Sequence, residues 1–96
     1  MVEADKWVWV VVLNPGKKEQ FLGQHDRGKN ASYIPAFLEK EEAVRGAPHL
    51  VVDEGLNYEV QAVQYQELVR HAGRNGFLVF ILDASVRVLE KTEPQT

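Results

Sequence analysis

The 96-residue chain contains no cysteine, which excludes disulfide bonds, thiol catalysis and cysteine-ligated zinc or iron–sulfur sites. It also lacks a transmembrane segment, because its longest apolar run, residues 7–13, is far shorter than the roughly 20 residues that a spanning helix needs. A signal peptide is not indicated either, since acidic residues precede that run and no small-residue cleavage site follows it. We therefore expect a cytoplasmic protein.

An excess of basic residues is equally absent. Eleven Lys and Arg stand against fourteen Asp and Glu, which gives a net charge of -3. Nucleic-acid and membrane-surface binding both rely on clustered basic residues, so we expect neither partner. The apolar content of 45% and charged content of 26% are typical of a globular protein. We predict a single domain over 1–96, with frayed tails at 1–6 and 91–96.

Apolar runs and alternating patterns, bounded by turn residues, predict a series of short β-strands. We place them at residues 7–13, 20–24, 33–37, 49–53, 58–64, 77–83 and 86–90. Amphipathic spacing predicts two helices, over 39–48 and 65–73, the first ended by Gly46 and Pro48 and the second capped by Gly73. The expected fold class is therefore α+β, a mixed, largely antiparallel sheet of five to seven short strands with two helices.

Two of these strands should be central in the sheet. Residues 7–13 and 77–82 are apolar without interruption, as strands buried on both faces are, and they could be neighbours. The segment 33–37 contains Pro35, which has no N–H to donate to a ladder. We therefore expect that segment at a sheet edge or at a strand end.

The first strand carries the leading functional hypothesis. Trp7, Trp9 and Val11 share one face of it. Alternating tryptophans are more typical of a core than of a ligand platform, but two helices are too few to cover both faces of such a sheet. We predict a non-enzymatic protein-interaction or self-association module, with a homodimer as one form, whose contact residues include Trp7, Trp9, Val11, Tyr33 and Phe37.

An alternative hypothesis concerns the polar loop 23–32. Residues 23–29 fit the phosphate-binding pattern G-x-x-x-x-G-K, but Asn30 replaces the Ser or Thr that would hold magnesium. Pro35 also follows too closely for a helix to begin at Lys29. A nucleotide site is thus not expected. The alternative is a small-molecule or anion-binding regulatory domain that uses Arg27, Gly28, Lys29 and Asn30.

No catalytic or metal-binding pattern is visible. The three histidines, His25, His49 and His71, lack ligand spacing, and the two serines, Ser32 and Ser85, lack the G-x-S-x-G elbow. We therefore nominate no catalytic residue, no metal and no cofactor, and an enzyme with an unrecognised site is only a third option.

Three segments resemble the SseB-like (enhanced serine sensitivity) bacterial domain. They are I-P-A-F-L-E-K-E-E-A (34–43), V-Q-A-V-Q-Y-Q-E-L (60–68) and G-F-L-V-F-I-L (76–82). That family has a similar extended segment ending in Phe, an E-E-A helix, a strand leading into a Leu-bearing helix, and an apolar strand after Gly. Its late Asn-Pro-Gly turn is replaced here by residues 83–85. The resemblance implies a bacterial cytoplasmic accessory protein and transfers no catalytic residue.

Overall fold

A computed structural model describes residues 2–28 and 30–92. It contains two helices, α1 (Lys40–Gly46) and α2 (Tyr65–Arg74), and a 3₁₀ turn at Ala47–His49. The strands are β1 (Trp7–Leu13), β2 (Gln20–Phe21), β3 (Gln24–Asp26), β4 (Ala31–Phe37), β5 (Tyr58–Gln64), β6 (Leu78–Leu82) and β7 (Val88–Thr92). The predicted α+β class is confirmed.

All the strands join one sheet. β5, β1, β4, β6 and β7 lie side by side in that order, with β2 beside the end of β1 and β3 beside the start of β4. β4 and β6 are parallel, and every other described pair is antiparallel. This agrees with the mixed, largely antiparallel sheet that we predicted. β5 and β7 form its two long edges.

β1 and β6 are central, as their apolar runs predict, but they are not neighbours, because β4 lies between them. The edge or strand-end position predicted from Pro35 is therefore wrong. On the side of β4 away from β6, residues 31–33 pair with β3 and residues 36–37 pair with β1. Pro35 is buried at the position where this side changes partner. No ladder bond is required of it there, so a proline is tolerated inside the sheet.

One face of the sheet, which we call the α2 face, packs on α2. Its core consists of Val8, Val10, Val12, Ile34, Ala36, Val79 and Ile81 from the strands and Tyr65, Leu68 and Ala72 from the helix. The buried helix residues follow the i, i+3, i+7 spacing of one helical stripe. The alternation of β1 thus places its even-numbered valines under α2.

The opposite face, which we call the α1 face, is covered by α1, the 3₁₀ turn and the segment after it. Phe37, Phe80 and Leu82 pack there around Ala43 of α1. The strand predicted at 49–53 is not formed. The alternation that suggested a strand is real, because Leu50 and Val52 pack inward whereas Val51 is 76% exposed. The segment lies across the face of the sheet instead of pairing in it.

The helix ends differ in detail from the sequence prediction. α2 continues past Gly73, and Gly76 takes the left-handed conformation with φ +74°. The Phe77 amide donates to the Ala72 carbonyl at 2.8 Å and the Gly76 amide to the Gly73 carbonyl at 3.5 Å, as in a Schellman cap. In α1, Val44 is 52% exposed although amphipathic spacing predicted the helix.

Residues near both ends of the described chain are hydrogen-bonded to other elements. Residues 91 and 92, predicted to belong to a frayed tail, lie in β7, and residues 93–96 fall outside the described residues. The amide of Val2 donates to Glu90 Oε2 at 3.2 Å, and the Gln66 amide donates to the Ala4 carbonyl at 2.9 Å. Within the described ranges, neither helix is long and apolar enough to cross a membrane.

Candidate functional site

The five predicted interaction residues differ in how far they are buried. Val11 and Phe37 are 1% and 0% exposed, so they belong to the chain's own core and not to a free surface. Trp9 and Tyr33 are half-buried: Lys40 Nζ lies 5.6 Å from the centroid of the Trp9 ring, and Tyr33 stacks on a core ring. Trp7 alone among the five is exposed, at 58%. The first strand is therefore covered mainly by the chain's own helices.

The open feature near Trp7 is the outer edge of β5. β1 pairs along the whole inner edge of β5, from Trp7 opposite Gln64 to Leu13 opposite Tyr58. Among the described strands, no other strand pairs with β5. Its seven residues therefore present an uncovered row of backbone donors and acceptors.

The direction of these backbone groups follows from two hydrogen bonds. The Val11 carbonyl accepts from the amide of Leu22, on the side of β1 away from β5, and the Asn14 amide donates to the Asn57 carbonyl. Because backbone groups alternate along a strand, the even-numbered residues of β1 bond to the odd-numbered residues of β5. The N–H and C=O groups of Tyr58, Val60, Ala62 and Gln64 consequently point away from the sheet.

The side chains along this edge are mostly uncharged. Tyr58, Val60, Ala62 and Gln64 lie on the α1 face in line with Trp7, and Tyr58 is 40% exposed. The one charged residue, Glu59, lies on the other face and accepts a hydrogen bond from Gln61 Nε2 at 2.6 Å. One exposed aromatic side chain therefore lies at each end of the edge, Tyr58 on β5 itself and Trp7 on β1 beside Gln64, and β5 contains neither lysine nor proline.

The other long edge, β7, carries features that discourage strand addition. Its register with β6 shifts between Ile81 and Leu82. It contains the charged residues Glu90 and Lys91, with Lys91 Nζ 5.2 Å from the Phe80 ring centroid. The N-terminal segment also reaches this strand through Val2. Bulges, charges and covering segments are the devices by which native proteins protect a sheet edge. β5 pairs with β1 without a register shift and contains one charged residue, Glu59.

A second feature is a groove of about 710 Å³ around residues 20–27. The chain follows β1 as β2, turns at Leu22 and Gly23, and follows β4 as β3. The groove also borders the C-terminal end of α2, where His71 meets Phe21 edge-on with 4.8 Å between ring centroids. It combines apolar side chains with histidine and arginine.

The predicted anion-binding loop contributes only part of this groove. Arg27 lines it. The amide of Gly28 does not point to an open cradle, because it donates to Asp26 Oδ1 at 3.0 Å. Asn30 adopts φ 48° in the turn before β4, and Lys29 lies outside the described residues.

The structure displaces the pKa values of Asp83, Glu19 and Tyr33. The pKa of Asp83 is lowered, chiefly because its carboxylate accepts the backbone N–H of Arg87 and also pairs with the Arg87 guanidinium. The pKa of Glu19 is lowered by hydrogen bonds from the Gly16 amide and the Gln61 side chain. Burial, together with the charge of Asp26, raises the pKa of the Tyr33 hydroxyl. These groups organise turns and packing.

No metal site is formed by the part of the chain that the structure describes, since no three His, Asp or Glu side chains come together there. His25 lies 3.5 Å from the Ser32 hydroxyl, measured from Nδ1 to Oγ. Asp83, at the end of β6, accepts the amides of Ser85 and Arg87 at 2.9 Å and thereby closes the β6–β7 turn.

Comparison with protein-family models, curated proteins and solved structures finds no match to this chain. The resemblance to the SseB-like domain therefore stays a prediction.

Sequence reasoning missed both features in their observed form. The alternation of residues 58–62 predicts a half-buried strand, but it carries no sign that one side of the strand is unpaired. The groove unites His25 and His71, which are 46 positions apart in the sequence. The sequence did contain a signal for an edge that could pair with another strand, because residues 58–64 include only one charged residue besides Val and Ala.

Proposed function

We propose that this protein is a non-enzymatic self-association module whose β5 edge pairs with the β5 edge of a second copy. The observation that carries the proposal is the contrast between the two sheet edges. β7 has a register shift and two charged residues, whereas β5 offers seven residues in unbroken register with a single charged side chain, Glu59. A weakly protected edge of this length is a template for strand addition.

The strand is also complementary to itself. The outward-pointing groups belong to the even-numbered residues, and antiparallel pairing joins outward groups only to outward groups. A two-fold axis at Gln61 satisfies this rule, since it places Tyr58 opposite Gln64 of the second copy and Val60 opposite Ala62 of the second copy. This register uses the full strand and provides about eight hydrogen bonds.

Side-chain chemistry agrees with that register. Glu59 falls opposite Val63 of the second copy, so no two like charges face each other. On the α1 face, Trp7 of one copy, Gln64 beside it and Tyr58 of the other copy form one row across the joined sheet. The exposed side chains of Trp7 and of Tyr58 from the other copy would thus flank Gln64 on one face of the joined sheet.

The test compares two lysine substitutions at exposed strand positions. Ala62→Lys adds a charge to the β5 edge, and Leu89→Lys adds the same charge to β7, where Leu89 is 57% exposed. Analytical ultracentrifugation over a concentration series measures the mass of each protein. We expect wild type and L89K to reach twice the chain mass of 10.9 kDa, and A62K to dissociate at least about tenfold more readily.

The folded state of each variant is checked by far-UV circular dichroism, so that loss of dimer is not confused with unfolding. A wild-type protein that keeps the single-chain mass at millimolar concentration would overturn self-association. Equal weakening by A62K and L89K would refute the assignment of the interface to β5.

A further inference from the structure

We infer that the groove around residues 20–27 binds an organic anion with a flat apolar body. Its volume of about 710 Å³ lies within the range of small-molecule sites. No residue of β5 lines it, so the inference is independent of the proposed dimer.

The floor of the groove is apolar and lies on the α2 face. Phe21 pairs with Val12, and Ile34 belongs to the core under α2. Phe77 packs directly on the chain turn, since a Cβ placed on Gly23 would stand 2.7 Å from its ring. The half-buried rings of Phe21 and Phe77 thus provide a surface for a planar hydrocarbon group.

The rim of the groove supplies groups that suit a negative charge. His25 pairs with Ser32 and therefore shares the α2 face with His71. Both imidazole rings can donate a hydrogen bond. Arg27 carries a guanidinium group and forms no ion pair with any described residue. A guanidinium group binds carboxylate or phosphate by paired, charge-assisted hydrogen bonds.

The acidic residues nearby do not cancel this character. Among the described lining residues, Asp53 is the only acidic one. It belongs to the segment that Gln24 holds by hydrogen bonds to both backbone groups of Val51, at 2.9 and 2.7 Å. Gln24 and His25 point to opposite faces of β3, so this segment approaches from the α1 side. The rim on the α2 side is therefore lined by basic and neutral groups.

The test uses three probes and an NMR titration of backbone amides. The probes are 2-naphthoate, its neutral counterpart 2-naphthamide, and inorganic phosphate. We expect 2-naphthoate to shift the amide signals of residues 21–27 and 71–77 saturably and to bind at least about tenfold more tightly than either other probe. Equal binding of the amide would overturn the role of the charge, and equal binding of phosphate would overturn the role of the apolar floor.

Two arginine variants complete the test. Arg27→Gln should weaken 2-naphthoate binding about tenfold, whereas Arg45→Gln, on the exposed side of α1, should leave it unchanged. Repeating the titration on A62K separates this inference from the dimer, because binding should be retained whether or not the protein self-associates. Equal losses in the two arginine variants, or no saturable shift around the groove, would refute the site.

Discussion

Gly46 at the end of α1 offers a sharp test of how tightly the α1 face is packed. A Cβ added there would lie 2.6 Å from Cε2 and 2.9 Å from Cζ of Phe37. The backbone of Gly46, with φ -79° and ψ -32°, is one that alanine adopts freely. The effect of Gly46→Ala on stability therefore depends on whether the cost of packing the new methyl group exceeds the gain in helix propensity.

The magnitudes favour destabilisation. Replacing a helical glycine by alanine gains up to about 1 kcal/mol, and inserting a methyl group into a filled core costs about 1–3 kcal/mol. Phe37 is 0% exposed and surrounded by Ala43, Phe80 and Leu82, so its ring has no free space into which to move. We expect G46A to lower the free energy of unfolding by about 1–2 kcal/mol.

Urea unfolding followed by tryptophan fluorescence measures this change, at one protein concentration because dimer formation adds to stability. Val44→Ala, at an exposed position of the same helix, serves as the control and should stay within about 0.5 kcal/mol. Phe37→Leu removes the two ring atoms that the new methyl group would meet. The G46A and F37L effects should therefore be less than additive by about 1 kcal/mol. A neutral or stabilising G46A, or an additive double variant, would refute the reasoning.

Two further predictions concern turns. Gly76→Ala should lower the free energy of unfolding by about 1–2 kcal/mol, because alanine is strained at φ +74° although no atom lies within 4 Å of the new Cβ. Gly76→Asn should lower it by less, because asparagine tolerates a positive φ. Equal losses in the two variants would contradict this explanation. The hydrogen bonds that lower the pKa of Asp83 stabilise the fold at pH values above 3.8, the ordinary pKa of an aspartate. This contribution is lost as the pH falls through the lowered pKa. Asp83→Asn should flatten the acid side of the stability curve, as measured by urea midpoints from neutral to acid pH, and an unchanged curve would show that Asp83 contributes nothing to it.

The strands and helices whose patterns are purely local could be predicted from the sequence. β1 has the bounds of its apolar run, and α2 follows the stripe of Tyr65, Leu68 and Ala72. For the segment 49–53, the local pattern was not sufficient to predict the structure. Its alternation is that of a strand, but the Val51 backbone bonds to the side chain of Gln24, a partner that no local pattern contains.

The predictions for Pro35 and for the C-cap of α2 were wrong for different physical reasons. A proline excludes a ladder bond only on the side to which its N–H would point, and a change of partner along β4 supplies an unpaired position that is visible only in three dimensions. At the end of α2, Gly73 and Gly76 are both suitable caps by residue type. The choice of Gly76 depends on the Phe77 amide reaching the Ala72 carbonyl while the Phe77 ring packs on Gly23.

The candidate sites were predicted only in outline. Trp7 was correctly placed on an apolar strand, but its exposure depends on its position opposite Gln64, at the end of an edge strand. Arg27 was singled out because of a phosphate-loop pattern, in which the Gly28 amide is occupied by the carboxylate of Asp26. It belongs instead with His71, which the chain topology brings to the same groove.

The arrangement of edges also determines where association through β5 would stop. A two-fold pair uses the same edge in both copies, so the interface is closed and no second β5 edge remains. The joined sheet would end in β7 on both sides. Each of those edges has the register shift at Ile81–Leu82 and the charges of Glu90 and Lys91, which disfavour further strand addition. Pairing through β5 would therefore give a discrete dimer, whereas pairing of β5 with β7 would leave one free β5 edge at every step and build a fibre.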